Sequence, residues 1–354
     1  MRILVINPGS TSTKLAVYDD DRQILLKNVK HSADELSRFP EITDQFPFRL
    51  RIVEEEVKAA GIEYQFDAVI GRGGLSKAVE SGVYEVNPKM LADARNATHK
   101  HACDLGCIIA YHIAHDKTQK HCHSFIADPG VVDELCDEAR ISGSPEMRRI
   151  CIWHALNQKA IARKFAKEQG RKYEDMNLIV CHLGGGISVA AHEKGRAVDA
   201  NNALDGEGPF SPVRAGSLPI ADVVRMCFSG RFTESELIAY ISGKAGLTAH
   251  LGTNDMPAII QRIGDGDKKA ALVVDAMIYH IAKNICAEGA VLCGKVDAIL
   301  LTGGLAYCDY LVERLKKRIE YLAPVYCYPG ENEMEALAMN ALEVLNGSRE
   351  AKEY

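Results

Sequence analysis

The chain has no surplus of positive charge: 42 lysines and arginines stand against 48 aspartates and glutamates, a formal net charge of −6. Nucleic acid and anionic membrane are therefore not expected as main partners. Long apolar runs are also missing. Residues 3–6, behind the Met-Arg start, are too few for a signal-peptide core, and no other run reads as long enough to cross a bilayer. The 11 cysteines are odd in number and include no C-x-x-C pair. That argues against a disulfide framework and for reduced thiols in the cytosol. Cys181 in LIVCHL and Cys286 in AKNICAEG sit in apolar surroundings, and no cysteine neighbourhood offers an obvious nucleophile.

What is present is ordinary for a globular protein: 47% hydrophobic and 25% charged residues over 354 positions. At roughly 150 residues per domain, the length suggests two. Such a chain can bury most of its unfolded surface without a disulfide or metal staple.

The first segment, MRILVINPGSTSTKLAVYDDD, reads as a buried hairpin whose loop is residues 7–14. The segment MNLIVCHLGGGISVAAHEKG repeats the pattern: an apolar run at 178–181, three glycines, and an apolar return at 187–191. Asn7 over His182 and Gly9 over Gly184 share one offset of 175 positions, which suggests a duplicated domain. Apolar residues at three- and four-residue spacing predict helices over 37–60, 155–168, 222–228 and 270–291. A short buried strand is expected at 297–301, running into Thr302-Gly303-Gly304. The last helix carries a capping-box pattern at Asn332 and Glu335 and ends at Gly347. Strands alternating with helices imply an α/β architecture. The expected seam is Ser142-Gly143-Ser144-Pro145, with a cleft between two lobes.

Several loops suit anionic ligands. Asn7-Pro-Gly-Ser-Thr-Ser-Thr-Lys14 is rich in hydroxyls and free N–H groups, as a phosphate site requires, although an ordinary hairpin turn would look the same. It lacks the second glycine of a P-loop and sits between two strands, so that motif is rejected. Gly184-Gly185-Gly186 lets backbone approach a ligand, and Thr302-Gly303-Gly304 is a third such turn. Arg72 in IGRGGL and Arg214 in SPVRAGSLP lie on loops bounded by glycine or proline, which suits bidentate capture of phosphate or carboxylate. A lone loop arginine is more often a solvated charge. His154 follows the single tryptophan, Trp153, and His182 ends an apolar strand; either alone would read as a core histidine. Asp128 precedes a proline, a common turn arrangement, and Glu333 opens the last helix, where it would complement the helix dipole. His99, His101, His112, His115, His121 and His123 cluster, but without a recognised zinc-finger spacing.

Taken together and in order, INPGSTSTK, RGG at Arg72, HALNQK, HLGGGIS and DANNALDGEGPFSPVRAG resemble the butyrate kinase branch of the acetate kinase family of carboxylate kinases, within the actin-like and sugar-kinase ATPase superfamily. The resemblance implies an α/β chain with two duplicated ribonuclease H-like lobes and a central nucleotide cleft. The first lobe would be residues 1–145, completed by the helix 332–346, and the second residues 146–331. It implies reversible phosphoryl transfer between ATP and butyrate or a branched short-chain acid, giving acyl phosphate and ADP, with Mg²⁺. Because a carboxylate is already a nucleophile at neutral pH, direct in-line transfer is expected in place of a phosphoenzyme. By resemblance, Arg72, Asp128, His154, His182, Arg214 and Glu333 are catalytic. Asn7, Ser10, Ser12, Gly184, Gly185, Gly186, Asp255, Gly303 and Gly304 bind nucleotide or phosphate, and Glu333 and Asp128 stand near the metal. A cytoplasmic homo-oligomer acting on a small-molecule carboxylate is expected. Gly185 stands where acetate kinases usually have Asn, and Pro257 where relatives often carry Arg, which bears on the contact to the nucleotide base.

Two other readings remain open at this point. A sugar-type kinase of the superfamily would need a base, for which Asp128 is the candidate. An actin-like assembly module would polymerise or bind partners with nucleotide but transfer no acyl phosphate.

Overall fold

The computed structural model describes residues 1–97 and 101–354. The chain divides into two units, Met1–Asp133 with Asn332–Tyr354, and Glu134–Glu331. The division precedes the Ser142 to Pro145 segment, and the last helix belongs to the first unit.

In the first unit, β1 (Arg2–Pro8), β2 (Ser12–Asp19) and β3 (Arg22–Lys30) form an antiparallel meander. With β4 (Ala68–Arg72), β5 (Val83–Glu85) and β6 (His123–Ala127) they make one sheet of order β3-β2-β1-β4-β6-β5. β1 and β6 both run parallel to β4. Ile3 to Ile6 are wholly buried, because a central strand has both faces covered and so reads as an unbroken apolar run. The helices Phe46–Ala59 and Leu105–His112 supply Leu50, Val53, Leu105 and Ile109 to the same core as Leu4 and Ile6.

The second unit repeats the scheme. β7 (Asn177–Leu183), β8 (Ile187–Glu193) and β9 (Arg196–Ala200) form a meander, and β10 (Ala298–Gly303) and β11 (Val325–Pro329) add in parallel, in the order β11-β10-β7-β8-β9. Both sheets run third, second, first, fourth strand from one edge; the next strand is β11 in the second sheet and β6 in the first, where the short β5 adds beyond it. The starts of β7 and β8 lie 175 residues beyond those of β1 and β2. Each second-to-third strand pairing even carries a register shift at a similar place, Val17/Tyr18 and Ala191/His192. The duplication read from the two hairpins is therefore present in the fold.

Local expectations were met unevenly. The first hairpin loop is only residues 9–11, because Asn7↔Lys14 and Pro8↔Thr13 still pair in the ladder. The first long helix begins at Phe46 and not at 37, with Pro47 in its first turn, where the missing N–H costs nothing. The helix Glu333–Leu345 lacks the expected capping box: Asn332 adopts a left-handed φ of 45°, and its side chain makes no cap bond. The 24-residue helix Lys268–Val291 corrects the reading that no run could span a bilayer, since its mean hydropathy reaches 1.3 over 18 residues. It buries Ala270, Val274, Met277, Ile281 and Ile285 against the second unit's core while Lys269 and Lys283 face out, which is the pattern of an amphipathic core helix. All 11 cysteines are free, five of them buried.

Candidate active site

The sequence-derived residues fall into two sets, one in each unit. In the first unit, Asn7, Arg72 and Asp128 stand at the carboxyl ends of β1, β4 and β6, three neighbouring parallel strands. This is the edge at which open α/β sheets bind ligands. Glu333, at the first turn of its helix, ties two of them together. Its Oε2 accepts from Asn7 Nδ2 at 2.6 Å and from Arg72 Nη1 at 3.2 Å. Asn7 and Glu333 are buried, while the Arg72 side chain keeps 29% exposure. The guanidinium is thus oriented from within and open outward. Asp128 is buried at a left-handed φ of 39°, and its Oδ1 accepts from Ser81 Oγ at 2.6 Å and Gly82 N–H at 2.9 Å. A non-glycine residue held in that region is uncommon and marks a site where surrounding bonds fix the backbone.

Ser10 is exposed, with Oγ 3.2 Å from His101 Nε2. The Ser12 carbonyl accepts from Gly9 N–H and from Arg49 Nη1, both at 2.8 Å. Arg49 went unnoticed in the sequence because it sits inside a helical apolar pattern. It is fully buried, also bonds Gln45 and Thr13, and burial lowers its pKa to about 10. Asp104 was missed too. Its carboxylate accepts from Leu75 N–H at 2.7 Å and His101 N–H at 2.8 Å, pinning the loop that follows Arg72. Burial raises that carboxyl to about 6.

In the second unit, His182 lies near the end of β7 beside Thr302 of β10, and Gly303 ends β10 in a two-way backbone pairing with Gly330. His154, at the start of the helix Ala155–Glu168, stacks on His182 with ring centroids 3.8 Å apart and planes 9° off parallel. Arg214 lies against the glycine loop. Its Nη1 donates to the Ala203 carbonyl at 2.6 Å, and its backbone N–H donates to Ser211 Oγ at 3.0 Å. Ser211 in turn donates to the Gly185 carbonyl at 2.5 Å, so loop and arginine are one bonded unit. A side chain at Gly186 would place Cβ 2.1 Å from Arg214 Nη1, whereas Gly185 and Gly304 border open space. Asp255 caps the helix Met256–Gly264, accepting from Ala258 N–H at 3.2 Å. That helix borders a cavity of about 490 Å³ lined by Met256, Pro257, Ile260, Gly304, Leu305 and Tyr307. Tyr307 and Ile260 carried no motif that would have singled them out.

The histidines of the 99–123 region are spread over separate contacts. His112 pairs with Asp116, His115 stacks on Tyr111, His121 lies edge-on to His123, and His123 meets Glu85. His99 lies outside the described residues. Among the described residues no group of three or more Cys, His, Asp or Glu side chains could hold a metal ion alone. Magnesium does not require one, since it is usually held by one or two carboxylates together with substrate phosphates and water.

The Acetokinase family matches residues 145–323. Along its full length the chain is 62% identical to a probable butyrate kinase of Bacteroides thetaiotaomicron, which it covers completely. It is 49% identical, over 100% of its own length and 99% of the relative's, to butyrate kinase 1 of Clostridium acetobutylicum. The acetate kinase of Porphyromonas gingivalis shares the fold at a TM-score of 0.77 with 18% identity, covering 97% of this chain and 99% of the other. A propionate kinase from Francisella tularensis does so at 0.74 with 17% identity, covering 96% and 98%. The chain belongs to the acetokinase family.

Proposed function

We propose that the protein is an ATP-dependent carboxylate kinase that transfers a phosphoryl group reversibly between ATP and butyrate or a branched short-chain acid. The observation that carries this reading is the full-length identity of 62% to a probable butyrate kinase. The chemistry of the site supports it. A carboxylic acid with a pKa of about 4–5 is already an anion at neutral pH, so the nucleophile needs no base. The difficulty is bringing an anion onto a phosphate, and each unit carries residues of the kind that offsets such charge. Arg72 and Arg214 are held by neighbours that leave their orientation fixed, and His154 and His182 supply ring nitrogens. Asp128, as a base for a sugar hydroxyl, would have to act with Oδ1 already bonded to Ser81 and Gly82.

Direct in-line transfer is favoured over a phosphoenzyme, because no side chain has to serve as a nucleophile. Ser10, Ser12 and the 184–186 loop would bind phosphates. The cavity beside Pro257 and Tyr307 would take the adenine, packing it on apolar surface where relatives often use an arginine. Mg²⁺ would be held by the carboxylates of Glu333 and Asp128 together with the phosphates, and would neutralise phosphate charge. The reducing cytosol is the proposed compartment, consistent with 11 free cysteines. Rates of hydroxamate formation in hydroxylamine with ATP, across acetate, propionate, butyrate, isobutyrate and valerate, test the substrate class. A maximum at four or five carbons is expected, and a maximum at acetate would overturn the chain-length assignment.

The protein is further proposed to be a homo-oligomer. The helix Ile220–Cys227 buries none of its residues, and Ile220 and Phe228 are 81% and 88% exposed with Val224 between them at helical spacing. A monomer rarely leaves such a stripe in water. A second copy of the chain is the proposed cover. Light scattering is expected to give a dimer or larger, and Phe228→Asp to shift it toward monomer. A wild-type monomer at micromolar concentration would refute the assignment.

A further inference from the structure

The stacked histidines are held by a buried polar network in the second unit. Asn157 and Gln158 are consecutive residues of the helix Ala155–Glu168, and both are buried. Each has its amide nitrogen clamped by a backbone carbonyl. Asn157 Nδ2 donates to the Glu331 carbonyl at 2.6 Å, and Gln158 Nε2 donates to the Ser188 carbonyl at 3.1 Å. A carbonyl only accepts, so neither amide can be turned over, and the position of each amide oxygen follows.

Asn157 Oδ1 then faces His182 Nδ1 at 2.8 Å, and that nitrogen must carry a proton. Gln158 Oε1 faces His192 Nε2 at 3.1 Å, which must carry one as well. His192 is fully buried, and burial together with Lys159 and Arg163 pushes its pKa well below the usual value, so the ring is neutral. Its Nδ1 is then bare and accepts from Tyr173 Oη at 2.6 Å.

The other hydrogen of Gln158 Nε2 goes to Ser188 Oγ at 2.8 Å, and the His154 backbone N–H also points at that oxygen, at 3.3 Å. A hydroxyl has two acceptor lone pairs, and both are now taken. The serine's own proton is left for His154 Nδ1, 2.8 Å away. His154 Nδ1 therefore accepts, and its proton sits on Nε2. Its place at a helix start, where the backbone dipole disfavours added positive charge, acts in the same direction.

We propose that Gln158 and Ser188 are positioning residues that fix His154 as the neutral tautomer with a donor at Nε2. Asn157 fixes the stacked partner His182 in the opposite tautomer, with Nδ1 protonated and Nε2 as the atom that accepts or gains a proton. Two parallel rings at 3.8 Å would repel strongly if both were charged, and the network assigns the chargeable Nε2 to one of them only. That Nε2 needs Gly184 beside it, since a Cβ there would lie 2.8 Å away. The catalytic meaning rests on the proposed function, in which the pair offers one fixed donor and one titratable nitrogen to a phosphoryl group. The tautomers themselves do not depend on it.

The test is nitrogen-15 NMR on the full chain with labelled histidine and no ligand, using His154→Gln and His182→Gln for assignment. His154 is expected to show an unprotonated Nδ1 and a protonated Nε2, and His182 a protonated Nδ1. Ser188→Ala removes the donor and is expected to abolish the single-tautomer signature of His154. It should also lower kcat about tenfold while leaving KM for ATP within about twofold, a split that a general packing defect would not give. Tyr173→Phe should leave the His154 tautomer in place, because the Ser188 carbonyl sets the network's direction. Finding both rings in one tautomer, or a protonated His154 Nδ1, would overturn the assignment, as would an unchanged His154 spectrum in Ser188→Ala. The expected tautomers in a chain that makes no acyl phosphate would uphold the assignment and overturn the function.

Discussion

Replacing Arg72 by alanine is expected to lower kcat by a factor on the order of 10²–10⁵, the range seen when a preorganised cationic donor is removed from an acyl- or phosphoryl-transfer site. The guanidinium is anchored at Nη1 by Glu333, which is 6% exposed and also bonded to Asn7, and it ends the strand β4 between glycines. Its orientation is therefore set before substrate arrives, and that is the condition under which such a charge stabilises a transition state in place of merely attracting an anion. Arg72→Lys should not restore the rate. An ammonium cannot reach back to Glu333 and forward to a ligand through one rigid planar group. The same truncation leaves Glu333 buried with one partner fewer, so a loss of about 1–3 kcal/mol in stability should accompany the kinetic effect. Circular dichroism and ATP binding separate the two. A folded, ATP-binding Arg72→Ala protein with kcat within tenfold of wild type would remove Arg72 from the mechanism.

Gly186→Ala should be nearly as damaging to turnover and almost silent in stability. The new Cβ would lie 2.1 Å from Arg214 Nη1 and 2.6 Å from its Cζ, far inside contact distance. The obstacle is the far end of a flexible side chain, so the fold can yield by moving the guanidinium by an ångström or more. That movement breaks the bond from Nη1 to the Ala203 carbonyl and displaces the charge. A misplacement of about 1 Å can cost on the order of 10²-fold in rate, and that fall in kcat is expected here. Gly143→Ala is the control, because nothing lies within 4 Å of a Cβ there and the residue belongs to none of the proposed ligand loops. If the two alanine variants have equal kcat, the proposed packing of Arg214 on the loop is wrong.

Much of this was legible in the sequence because it rests on local pattern. The offset of 175 between the hairpins survives as the same order of the first four strands in both sheets. The apolar run 3–6 is unbroken because β1 is central in its sheet. The helix Ala155–Glu168 was readable to its ends from apolar spacing. Other features are not local. Glu333 meets Asn7 across 326 positions, and no spacing rule reaches that far. Arg49 is a charge inside an apolar helical face, which composition would place in solvent; its bonds to the Ser12 carbonyl, Thr13 and Gln45 explain its burial, and two of those partners lie 37 and 36 positions away. Asn332 and Glu335 spell a capping box, yet the left-handed φ at Asn332 sets the helix entry otherwise. Asn157 and Gln158 lay within the HALNQK motif, but their work depends on which carbonyl clamps each amide, and only coordinates supply that.

The central claim is phosphoryl transfer from ATP to a carboxylate. Phosphorus-31 NMR of the purified chain with ATP, Mg²⁺ and butyrate tests it most directly. The account predicts an acyl phosphate resonance growing in step with ADP, reversed when butyryl phosphate and ADP are supplied instead. ADP appearing with inorganic phosphate and no acyl phosphate, or ATP left intact by folded protein, would contradict it.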